Sequence, residues 1–182
     1  MDHTTTETPL VNRVAQSSLV TIDLEKFYPE GEIVPFDLKQ FLFRELILRE
    51  KDFREAMKAI DWAQYQGKIL AVYCSTDAII PMWAYMLATV CAAPFAADVV
   101  QCPPEQALER LFLKKIAAMD LSAFEGKRLV IKGCSDKPVP AAAYLEMTRR
   151  LQPLALSILF GEPCSTVPVY KKAPAAADRM NQ

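Results

Sequence analysis

Four of the five cysteines in this chain, Cys74, Cys102, Cys134 and Cys164, come directly after short apolar runs that read as β-strands. Three share a local pattern, Cys74-Ser75-Thr76-Asp77, Cys134-Ser135-Asp136 and Cys164-Ser165-Thr166. Each has a proline a few residues on, at Pro81, at Pro138 or Pro140, and at Pro168. Thiols at the carboxyl ends of parallel strands would be gathered along one sheet edge, where α/β proteins bind ligands. Helices opening near Pro81 and Pro140 would aim amides at that edge and favour thiolate. Three thiolates suit a soft metal. Zinc would draw a fourth ligand from Asp77, Asp136, Cys102 or water, and an iron–sulfur cluster could leave one iron open. Cys74, Cys134, Cys164 and Asp77 are thus the expected metal ligands, whereas the one histidine, His3, lies in the polar start. Asp136 and Lys137 are the candidate catalytic residues, a carboxylate able to act as base and a cation able to hold an anionic group. Asp77 and Asp136 could equally cap the helices that begin near the prolines.

The elements that would position these residues come from an internal duplication. Asp61 to Ser75 echoes Asp120 to Ser135, and Asp77, Pro81, Ala84 and Tyr85 recur 59 residues on as Asp136, Pro140, Ala143 and Tyr144. Only the cysteine slips, because Gly133 adds a residue before Cys134. A repeat of this length reports a duplicated supersecondary unit. Strands are expected at 19–24, 68–73, 98–101, 127–132 and 156–160. Helices are expected at 81–93, 104–119 and 140–151, with Leu10–Gln16 as a further short one. Asp37-Leu-Lys-Gln40 resembles a capping box opening a helical region to about Ile60. Strands spaced by helices imply parallel pairing and right-handed crossovers. The expected fold is α/β: a mainly parallel sheet of about four strands from a βαβα duplication, with an N-terminal helical layer. Residues 1–8 and 171–182 are expected to be disordered ends around one domain at 9–170, with the repeats at 61–119 and 120–161.

With 21 basic against 22 acidic residues the net charge is -1, and no basic patch suggests nucleic acid. The polar start has no secretory pattern, and five cysteines without close pairs point to a reducing cytoplasm. Ala78–Ala97 carries no charge, but Pro81 and Pro94 bracket it and its counterpart after Pro140 holds Glu146, Arg149 and Arg150. A membrane span is therefore not expected; a helix apolar all round reads instead as buried, or as the contact of a homodimer. No Walker loop or Gly-rich dinucleotide turn is present, and five glycines leave little room for one.

The stretches Val11–Ala15, Glu50–Glu55, Cys74–Pro81, Lys132–Pro140 and Glu162–Pro168 are similar to those of a family of small cytoplasmic Bacteroidetes proteins catalogued as a domain of unknown function. The resemblance covers about residues 9–171 and implies a bacterial cytoplasmic setting but no chemistry. The residues leave three readings open. The first is a zinc or iron–sulfur protein. The second is a non-catalytic homodimeric α/β module whose thiols are structural, cysteine being among the most buried residues. The third is a metal-free thiol-dependent enzyme with Cys134 as nucleophile.

Overall fold

The two repeats each build the middle strand of a separate sheet in the computed structural model, which describes residues 19–133, 136–162 and 164–173. The chain divides into two compact units. One is continuous, Phe27–Ala118; the other joins Met1–Lys26 to Met119–Gln182. The expected helix Leu10–Gln16 lies outside the described residues.

In the continuous unit the sheet order is β2 (Ile33–Asp37), β3 (Ile69–Tyr73), β4 (Asp98–Gln101), all parallel. β3 reads Ile-Leu-Ala-Val-Tyr and its first four side chains are buried, as a strand covered on both faces must be. Leu70 and Val72 share a core with Phe36, Phe53, Met57 and Trp62, under α1 (Glu50–Ala59) and α2 (Met82–Ala92). Ile69 and Ala71 face the other way, onto Ala107 and Leu111 of α3 (Pro104–Ala118).

The other unit orders β1 (Leu19–Asp23), β5 (Arg128–Lys132), β6 (Ser157–Glu162) and β7 (Ser165–Lys171), parallel except for antiparallel β7. α4 (Ala141–Leu151) buries Ala143, Met147 and Leu151 on this unit. The mixed α/β class with mainly parallel strands holds, and its strands are shared between a four-stranded and a three-stranded sheet.

The duplication is visible bond by bond. Gly67 N–H donates to Phe95 O at 3.0 Å and Gly126 N–H to Leu154 O at 2.9 Å. Ala97 N–H reaches Lys68 O and Leu156 N–H reaches Lys127 O, both at 2.8 Å. α2 and α4 each start just after a proline at the N-cap, Pro81 and Pro140, without a side-chain cap, so Asp77 and Asp136 do not cap them. The repeat extends further than the 59-residue offset shows. β1 and β2 end in Val20-Thr-Ile-Asp23 and Val34-Pro-Phe-Asp37, each followed by a leucine, and each lies parallel beside an inner strand of its own sheet.

Two local expectations change. Asp37 does act as a cap, its Oδ1 accepting Lys39 N–H at 2.9 Å, but the element it opens is a 3-10 turn ending at Phe41. Arg44 and Glu45 then take φ of 52° and 60°, which ends helical winding and folds Phe43 back onto Ile47. The helix expected at 81–93 is not covered all round: Met82, Met86 and Val90 are 69%, 68% and 69% exposed.

Candidate functional site

The cysteine site does not assemble. It required one shared sheet edge, but Cys74 and Cys102 come after β3 and β4 in one unit and Cys164 belongs to the other. Cys134 lies outside the described residues, as does His3. Cys74 is half-buried with Sγ 3.2 Å from Thr76 Oγ1, Cys102 is buried, and Cys164 is exposed in the turn between β6 and β7. Burial pushes the Cys102 thiol up, Arg110 pulling it down and Glu105 adding to the rise, so it is not poised as a thiolate. Among the described residues no three histidine, cysteine or acidic side chains gather to hold a metal. The zinc and iron–sulfur reading is overturned, and Asp77, exposed, has no cysteine pair to complete.

Structural equivalence also explains why the cysteine slipped. Gly133, not Cys134, is the counterpart of Cys74, each being the first residue beyond its middle strand. A Cβ at Gly133 would meet Leu24 Cβ and Tyr144 Oη at 3.0 Å and Val139 Cγ2 at 3.2 Å. Tyr144 Oη donates to Gly133 O at 2.7 Å and fills the space a side chain would need.

The carboxyl edges of the two sheets differ in charge. Beside β5, Lys132 Nζ lies 3.3 Å from Glu162 Oε1 and 3.8 Å from Asp23 Oδ2. The Glu162 hydrogen bond and charge, with Asp23 and Glu25, raise its pKa, so a fixed ammonium occupies the centre of this acidic edge. Asp136 and Lys137 are both exposed in the β5–α4 connection, with Asp136 N–H donating to Glu25 Oε1 at 3.3 Å.

Beside β3, the corresponding carboxylate is Asp37, facing a polar cleft with Tyr73, Lys39 and Gln40. Burial pushes its carboxyl up, but hydrogen bonds from Ser75 and from the Lys39 amide more than offset this, leaving the pKa lowered. A depressed folded pKa gives stability that is complete above the usual value of 3.8 and is lost as pH falls through the lowered one. The advantage of wild type over Asp37→Asn, about 1 kcal/mol or less for so exposed a carboxylate, should therefore shrink in denaturation series run from pH 6 to pH 2. A difference independent of pH would show that the charge plays no part.

An apolar concavity lies elsewhere, in the discontinuous unit between α4 and the β6–β7 pair. It measures about 550 Å³. Its floor is Ile131 and Ile158, 3% and 1% exposed. One wall is Leu145, Thr148 and Arg149 of α4 with Gln152, the cap residue just beyond it; the other is Phe160 and Val169. Tyr144 closes one part, its ring 5.8 Å from that of Phe160 in an edge arrangement. The charge of Arg149 is already matched, its Nη2 and Nε lying 2.6 Å and 2.8 Å from the Glu146 carboxylate oxygens. The groove is thus apolar at depth and electrically neutral at its rim. None of these lining residues stands out in the sequence except Tyr144, Arg149 and the strand and helix that carry them.

The description "Protein of unknown function (DUF2480)" is that of a protein family whose pattern matches residues 8–172. The chain belongs to this family. Comparison with curated proteins found no match, and comparison with solved structures found none. The DUF2480 match spans the strands of both sheets and the groove. Among the described residues no helix is long and apolar enough to cross a membrane.

Proposed function

We propose that the protein is a ligand-binding α/β module, and that the groove between α4 and β6–β7 holds an uncharged, largely apolar small molecule. The observation that carries this is the apolar lining of the groove: its floor belongs to the core, while Leu145, Phe160 and Val169 at its walls are 69%, 40% and 54% exposed. A volume of about 550 Å³ falls in the range of roughly 300–1,000 Å³ usual for small-molecule sites. Covering wall side chains of this size is favourable by about 25 cal/mol per Å² of apolar surface. The internal Arg149–Glu146 pair leaves no net charge to attract an ion, while Thr148 and Gln152 can orient a hydroxyl or carbonyl. The five widely spaced cysteines favour a reducing compartment, the cytoplasmic setting that the family resemblance implied.

The test is titration with a neutral fluorescent naphthylamine. Saturable one-to-one binding is expected, and Leu145→Glu, at an exposed position that leaves the core untouched, should weaken it at least tenfold, about 1.4 kcal/mol. Binding that is unsaturable, or indifferent to Leu145→Glu, would remove the groove as a site.

A further inference from the structure

The two repeats differ in what lies beside their last strand. β6 has antiparallel β7 on its outer side; β4, its counterpart, ends the three-stranded sheet, and among the described residues no strand lies beyond it. Because Ala97 N–H points at Lys68 O of the β3 side (2.8 Å), strand alternation turns the N–H and C=O of Asp98 and Val100 outward. These are the counterparts of Ser157 and Leu159, which oppose Lys171 and Pro168 of β7. The neighbouring helix repeats the comparison. Met86, Thr89 and Val90 of α2 correspond to Leu145, Thr148 and Arg149 of α4, which border the β6–β7 pair. With Met82, they leave an apolar stripe at one-turn spacing open to water.

We infer that β4 and α2 form the interface of a homodimer, in which β4 pairs antiparallel with β4 of a second chain and the Met82–Met86–Val90 stripes meet. In the other repeat the equivalent edge carries an antiparallel strand, and the lack of charge on the neighbouring helix favours a second copy as its occupant here. Close to a two-fold axis a side chain approaches its own equivalent, so a self-contact excludes charge from its centre. α2 has no charged residue, whereas α4 has Glu146, Arg149 and Arg150. Methionine at two of the three stripe positions supplies side chains that adapt to a copy of themselves. In an antiparallel ladder outward-facing residues oppose outward-facing residues, and the register that sets Asp98 of one chain against Val100 of the other also keeps the two Asp98 carboxylates from facing each other. Lys114, 2.6 Å from Asp98 Oδ1, neutralises that carboxylate within its own chain. The same pairing removes an open strand edge that would otherwise invite aggregation. This surface lies in the continuous unit and owes nothing to the groove.

Light scattering on the full chain should give twice the chain mass of 20.4 kDa. Met86→Glu, at an exposed position, sets like charges against each other across the axis and should halve the measured mass with an unchanged circular dichroism spectrum. Amide exchange then tests the strand pairing: the Asp98 and Val100 N–H groups should exchange at least tenfold more slowly in wild type than in Met86→Glu. A monomeric wild type overturns the inference, as does a dimer in which these two amides exchange as fast as in the variant. A monomer that co-sediments with neutral phosphatidylcholine vesicles would also overturn it and assign the stripe to a bilayer instead.

Discussion

Phe36→Ala is expected to destabilise the continuous unit by about 4 kcal/mol, the middle of the range for deleting a buried ring. Phe36 is 2% exposed, so almost its entire ring is lost from the core. Its neighbours cannot easily close the gap. Trp62, 5.5 Å away ring to ring, is tethered by Nε1–H to Met57 O at 2.8 Å. Phe41, at 5.7 Å, is itself braced against Phe53. The cavity therefore persists, and the lost aromatic contacts add to the lost burial. Denaturant unfolding with linear extrapolation measures the effect, and Phe36→Leu should restore more than half of it. A loss under about 1.5 kcal/mol would mean that this cluster collapses around the gap.

Phe36 sits on a strand that the sequence hid, and the reason is chemical. β2 and β7 both contain a proline, Pro35 and Pro168, and both are edge strands. Proline lacks the N–H that a central strand must donate, so a proline within an apolar run argues against a strand except at an edge. The sequence shows the proline but not the edge. The middle strands were easier, because burial on both faces forces an unbroken apolar run such as Ile69–Val72. The region after Asp37 misled for another reason: its apolar residues recur at helical spacing, yet Leu46 and Ile47 are 69% and 61% exposed on a turn held by left-handed Arg44 and Glu45.

The repeat is real, but it does not place its two middle strands together. Residues matched at a fixed offset do the same job in their own unit; they need not share a sheet. Whether two matched strands lie side by side depends on which strand inserts between or beside them, here β1 next to β5 and β2 next to β3. The signal that could have separated the sheets was present: Val20-Thr-Ile-Asp-Leu24 and Val34-Pro-Phe-Asp-Leu38, one first strand for each repeat. The groove was harder to read. Its walls depend on β7 folding back along β6, and apart from Tyr144 and Arg149 nothing in the repeats marks its residues.

Gly31 tests how tightly β2 is held against β3, and Gly31→Ala should cost about 3 kcal/mol, combining a left-handed backbone with a steric clash. At φ +108° Gly31 takes a conformation that side chains rarely adopt, and a Cβ there would stand 2.6 Å from Gly67 O. That oxygen is backbone and cannot swing aside. One residue later Glu32 O accepts Ile69 N–H at 2.8 Å, at the start of the β2–β3 ladder, so relieving the clash means pulling that pairing apart. Gly67 supplies the control. It has φ +70°, but a Cβ there meets nothing within 4 Å. Gly67→Ala should therefore carry only the backbone term, about 1 kcal/mol. Thermal and denaturant unfolding of the two variants separates the contributions, the excess of Gly31→Ala over Gly67→Ala being the cost of displacing backbone. Equal losses would show that β2 yields at its first turn without disturbing β3, and that the edge of this sheet is softer than its hydrogen bonds indicate.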